Sequence, residues 1–305
     1  MAAAPRVEID RATSLPWVMV AQSARLLRDL LQGTPEPVGG SPFAQVDEDL
    51  PEASARWCRS YLSSALEHLC MWADFVAPLT LHPDTTVHHD ARPAQTLARA
   101  ALESASQAVW VMAADNAPEL LRRHLSLVLA DWEEQRKAEI DPETKEALRS
   151  QRAALLDIIE SHGVRVDNPS YLTLVTAAAE EVREKTTVDI VRRAEVERLW
   201  RASAGSAHGK MWPSVELRTS VDVAGRRYSL PDADAMSAML VLADQVTQYG
   251  VFRYIDRAGH EPNLAKRLRD ATERWYQLIP KVPGAPERLQ DPPPGPTAHE
   301  DPARS

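Results

Sequence analysis

At 305 residues with 44% hydrophobic side chains, the chain holds enough apolar material for a sizeable core, arranged as one large helical domain or two smaller ones. Its formal charge of −9 excludes a uniformly basic nucleic-acid surface. Five of those charges, on Glu36, Asp47, Glu48, Asp49 and Glu52, fall in residues 34–55, a stretch without Lys or Arg; taking them out leaves −4 for the rest, so local basic clusters are still allowed.

The opening 13 residues read as a loose leader with no signal-peptide core. Ser14 as N-cap and Pro16 in the first turn predict a helix to about Gln32, with Trp17, Val20, Ala24, Leu27 and Leu31 as its apolar stripe. A Pro/Gly/acid segment over 34–50 then reads as a mobile linker, so that residues 1–50 form a helix plus tether ahead of a helical domain over 51–280. The first long helix of that domain runs from about Pro51 to Ala77. It carries Cys58 and Cys70, whose Cα atoms at about 1.5 Å per residue stand roughly 18 Å apart, too far for a disulfide within one chain. With no apolar run approaching the ~20 residues that span a bilayer, the expectation is a reduced, cytoplasmic protein outside the membrane.

Residues 78–92 form a loop with His82, His88 and His89 beside Asp84 and Asp90; the spacing matches no closed zinc site, and no metal or cofactor is expected. Helices follow over about 93–113, 118–140, 142–162 and 169–185, the fourth opened by Asn168-Pro169. Asp131-Trp132 and Glu133-Glu134 with Arg136-Lys137 read as a solvated helix end. A helix from Thr187 or Asp189 to about His208 comes next. Over 214–230, Val215, Leu217, Val221, Val223 and Tyr228 flank Ala224-Gly225 as a short β-hairpin. Helices over about 231–255 and 261–278 precede a Pro-rich tail, 281–305, expected to be disordered. The fold class is all-α, a bundle of long antiparallel helices with one hairpin. The stripes at 57–76, 97–112, 120–132, 190–200 and 236–252 are expected to meet in a single core, with the 93–113 helix the most buried.

The stretch that invites chemistry is Glu195–Pro213. Arg201 and His208 lie seven residues apart, two helical turns, so one helix face carries both. Between them Ala202, Ser203, Ala204, Gly205, Ser206 and Ala207 are all small, which permits close approach of another backbone and leaves the guanidinium and imidazole uncovered in a shallow groove. A second charged pair, Arg99 and Glu103, interrupts the nearly apolar helix over 93–113. It reads either as an i,i+4 surface pair or as a buried pair in which Glu103 reaches across to Arg201.

Arg201-x6-His208 resembles the R-x(4–6)-H motif of the HEPN superfamily, all-helical domains that include metal-independent RNases of toxin and abortive-infection systems. The run Trp200-Arg201-x-Ser203 ending in His208-Gly209 is similar to bacterial relatives of that superfamily in which an earlier helix carries R-x-x-x-E, matched by Arg99 and Glu103. The resemblance spans roughly residues 90–255. It implies RNA as partner, a homodimer with the site where two such helices meet, and transesterification by the RNA 2′-hydroxyl. Arg201 and His208 would be catalytic, the Arg holding phosphate and the His moving the proton, with Arg99, Glu103, Ser203 and Ser206 in support. One departure is Ala202, where the family commonly has a polar residue after the motif Arg. A purely structural reading of the same residues pairs Arg201 with Glu103 or Glu197 and leaves His208 to cap its helix or bond a backbone carbonyl. On that reading the chain is a non-catalytic helical interaction or small-ligand-binding protein.

Overall fold

The computed structural model describes residues 11–48, 50, 52–76, 91–161, 163–223 and 225–260. Among these the order is α1 (Arg11–Gln32), α2 (Pro42–Asp47), α3 (Ser54–Val76), α4 (Ala91–Met112), α5 (Ala117–Ala138), α6 (Pro142–Ser161), α7 (Tyr171–Lys185), α8 (Arg193–Ala207), α9 (Met211–Glu216), β1 (Arg218–Val223), β2 (Arg226–Pro231) and α10 (Ala233–Arg257). Among the described residues the protein is an all-α bundle with a single antiparallel hairpin, whose register pairs Val223 with Arg226. No helix of the described residues is long and apolar enough to cross a membrane. The histidine loop, the helix over 261–278, the tail and most of the leader lie outside the described residues.

α4 is the axis of the bundle. Ala98, Ala101, Leu102, Ala105, Ala108, Val109 and Met112 are sealed from solvent, and α3, α5, α7, α8 and α10 all pack on this helix. Its many alanines bring neighbours close. On α10, a Cβ on Gly250 would lie 2.7 Å from Leu62 Cδ2 of α3 and 3.2 Å from Val109 Cγ2 of α4. Cys58 and Cys70 are free and buried on α3.

The N-terminal third departs from the sequence expectation in two ways. α1 begins at Arg11, so Ser14 lies inside it rather than capping it, and Pro16 is accommodated near the start, where a missing N–H removes only one early hydrogen bond. The segment over 34–50, expected to be a mobile tether, is docked. Ser41 Oγ accepts the Ala44 N–H to start α2, which seats Phe43 fully buried with its ring 5.4 Å from that of Tyr254. The Asp47 carboxylate then accepts the N–H groups of Ser54 (2.7 Å) and Ala55 (3.1 Å), capping α3. Val38 N–H donates to Ala258 O, and Arg59 donates to the carbonyls of Thr34 and Pro35. One aromatic anchor and a few caps outweigh a composition that reads as linker. α1 shares the main core with α3 and α10 instead of preceding it as a separate unit.

The core is also not single. Leu120 and Leu127 face the main cluster, but Leu125, Val128 and Leu129 turn to the other side of α5 and pack with Leu155 and Ile159 of α6. Apolar side chains on two faces of α5 serve two neighbours, which a stripe count along one helix does not separate.

Candidate functional site

α8 has two faces with different work. Val196, Leu199, Ser203 and Ser206, spaced three and four apart, form the inner face and are buried. The outer face carries Glu197, Arg201 and, at the C-cap, His208. The helix ends one residue before His208: its backbone N–H bonds Ala204 O at 3.1 Å, Gly209 follows at φ +69°, and Lys210 N–H returns to Gly205 O at 2.8 Å.

Arg201 is 56% exposed along its side chain, and its guanidinium donates twice to Glu197 Oε1, at 2.7 and 3.0 Å. His208 is exposed, and its ring makes no hydrogen bond among the described residues. The motif side chains therefore share the solvent side of α8. Glu103 does not reach either of them. Its Oε1 accepts Arg99 Nε at 2.8 Å and Trp200 Nε1 at 2.7 Å, while the Arg99 guanidinium lies over the Trp200 ring, 5.0 Å from its centre. The expected pairing of Glu103 with Arg201 is thus corrected by one position. At about 100° per residue, the step from 200 to 201 carries the side chain from the α4 side of the helix to the open side. Trp200, named in the sequence only as part of the motif run, is the partner of Glu103; its signal was an indole donor at the edge of an apolar stripe, opposite an acid on a buried helix.

Ser203 is fully buried. It donates to Leu199 O at 2.9 Å and contacts Gln95 Oε1, whose Nε2 in turn bonds Ala235 O, so one polar chain ties α8 to α4 and α10. Ser206 is also buried, and its Oγ has no partner among the described residues. Both supporting serines face inward, away from Arg201.

The run of small residues does not leave an open groove beneath the motif. Ala202, Ser203, Gly205 and Ser206 are covered by α4 and by α9. A Cβ on Gly205 would lie 2.7 Å from Pro213 Cγ and 3.3 Å from Trp212 Nε1. Gly205→Ala is therefore expected to displace α9 and lower stability by about 1–3 kcal/mol, read as a fall in melting temperature with a shift in tryptophan emission. An unchanged melt would mean that α9 rests loosely on α8. A shallow groove of about 450 Å³ does exist at the end of α8, but it is lined by Arg92, Pro93, Thr96, Leu97, Ser206, Ala207 and Gly209 and includes neither Arg201 nor His208. α9 turns Met211, Trp212 and Val215 to solvent beside His208.

Among the described residues no group of three or more His, Cys, Asp or Glu side chains is placed to hold a metal ion. Comparison with family models, with curated proteins and with solved structures finds no match for this chain.

Proposed function

We propose that this is a cytoplasmic HEPN-like protein that binds or cleaves RNA without a metal, through the outer face of α8. The observation that carries the reading is the joint exposure of Arg201 and His208 two turns apart on that face, above an inner face locked to α4. The Glu197 pair is exposed on both sides and worth only about 0.3–0.5 kcal/mol, so a phosphate can take its place on the guanidinium. In cleavage, the His208 imidazole takes the proton of the 2′-hydroxyl as that oxygen attacks the adjacent phosphorus. Arg201 holds the non-bridging oxygens as charge builds, and a 2′,3′-cyclic phosphate forms as the 5′-oxygen leaves with a proton. A homodimer joined through the exposed Met211, Trp212 and Val215 of α9 would bring a second imidazole to supply that proton.

The reading of a non-catalytic interaction or ligand-binding protein takes its support from the same ion pair, since Arg201 already has a carboxylate partner. Cleavage of a mixed-sequence RNA oligonucleotide in excess chelator separates the two. The wild type is expected to cleave, and His208→Ala to lose at least about a hundredfold in rate with its melting temperature unchanged. A wild type that neither cleaves nor retains RNA, or a His208→Ala variant as active as the parent, overturns the proposal.

A further inference from the structure

A second candidate feature lies away from α8. It is a cleft of about 560 Å³ between α4, α5, the start of α7 and the connection over 164–170, within the size range of small-molecule sites. Its walls are part apolar, from Leu127, Leu129, Val166 and Leu174, and part charged. The charges are mostly satisfied in place. Glu133 pairs with Arg136 at 2.6 Å and has Arg152 at 3.8 Å; Glu134 pairs with Lys137 at 2.7 Å; Asp167 pairs with Arg122. Asp131 is the exception. Among the described residues it has no ion pair and no hydrogen bond, and part burial lifts its carboxyl above the usual range. Tyr171 stands at the mouth, 51% exposed at the first residue of α7. Burial raises the Tyr171 phenol first, then the charges of Glu103, Asp131 and Glu134; Tyr61 on α3 is raised by burial and then by Asp131. Asp131 and Tyr171 line the same cleft.

A carboxylate without a cation, sharing a cleft with a tyrosine ring, is the arrangement that recognises a charged amine: the carboxylate supplies the Coulomb attraction and the ring face the second contact. An anion would meet the excess negative charge of the lining, and a metal ion would find too few ligands. We propose that this cleft binds a small organic cation, its ammonium group held by Asp131 against Tyr171 and its carbon chain lying along Leu127, Val166 and Leu174. The site is separate from the RNA face of α8 and does not depend on it.

Calorimetric titration with putrescine tests the assignment. The wild type is expected to bind one equivalent, Asp131→Asn to bind about tenfold more weakly or worse, and Tyr171→Ala about threefold more weakly. Glu143→Gln makes the same change of charge on α6, outside the cleft lining, and should bind as the wild type does. Asp131 and Tyr171 are both exposed, so the variants keep their melting temperature and a lost heat signal is a lost site. Absence of binding by the wild type at millimolar putrescine overturns the proposal. So does an equal loss in Asp131→Asn and Glu143→Gln, which would mark a diffuse attraction to a chain of charge −9.

Discussion

Asp244→Asn should stabilise the protein at pH 8 by as much as about 4 kcal/mol and leave it nearly unchanged at pH 4. Asp244 sits on α10 facing Ser23 of α1. Its Oδ1 is sealed from solvent without a partner among the described residues, as is the Ser23 hydroxyl. Burial pushes the carboxyl up from 3.8 to about 7, Ser23 opposing in part. The proton is thus held more tightly by the folded chain than by the unfolded one. Below pH 3.8 both states carry it and nothing is lost. From there to about pH 7 the unfolded chain ionises while the folded one resists, so stability falls as pH rises. The full deficit, roughly three pH units at about 1.4 kcal/mol each, is present above about pH 7. Asparagine keeps the shape without the charge and removes the deficit. Urea unfolding of both proteins at pH 4, 6 and 8 reads the difference directly, and a gap that does not grow with pH would contradict the assignment. Buried His124 works in the other direction: desolvation lowers its pKa, so its contribution is lost as pH falls below about 6.5, its ordinary value.

The second large effect belongs to the carboxylate that holds α8 to α4. Glu103→Ala removes the acceptor of both Arg99 Nε and Trp200 Nε1. With side chains only 20% and 17% exposed, the pair is partly screened, so the loss is expected at about 2–3 kcal/mol rather than the larger figure of a fully buried charge left alone. Glu103→Gln keeps an acceptor and should lose less. Since Trp200→Phe keeps most of the ring but removes the N–H, the double change with Glu103→Ala should fall short of additivity by about 1 kcal/mol. A loss under about 0.5 kcal/mol for Glu103→Ala would make it an ordinary surface pair.

Much of this architecture is legible in the sequence because helices announce themselves by period. α3, α4, α5, α7 and α10 carry apolar residues at three- and four-residue spacing with Pro, Asn or Ser near their starts, and Gly225 beside alternating β-branched residues marks the hairpin. What stays hidden is short or relational. α2 is six residues long and rests on one phenylalanine and one serine, too little to register against the surrounding Pro, Gly and acid. α9 occupies residues that also suit a strand, and its place is fixed by the absence of a side chain on Gly205 rather than by its own pattern. At the candidate site, spacing predicts Arg201 and His208 on one face, and both are exposed. It does not say which neighbour faces α4, because adjacent residues on a helix diverge by about 100° and the choice of Trp200 over Arg201 depends on the rotation of α8 against its partner.

That rotation is the basis of the proposed function: Trp200 holds the helix down and Arg201 faces solvent, where the proposal has it meet phosphate. The salt dependence of single-stranded RNA binding, followed by fluorescence anisotropy for the wild type and Arg201→Ala, tests it most directly. Removing one phosphate contact should weaken binding at low salt and reduce the slope of log K against log[salt] by about 0.7–1, with no change in melting temperature. Identical slopes for the two proteins would contradict the account and leave Arg201 as the surface partner of Glu197.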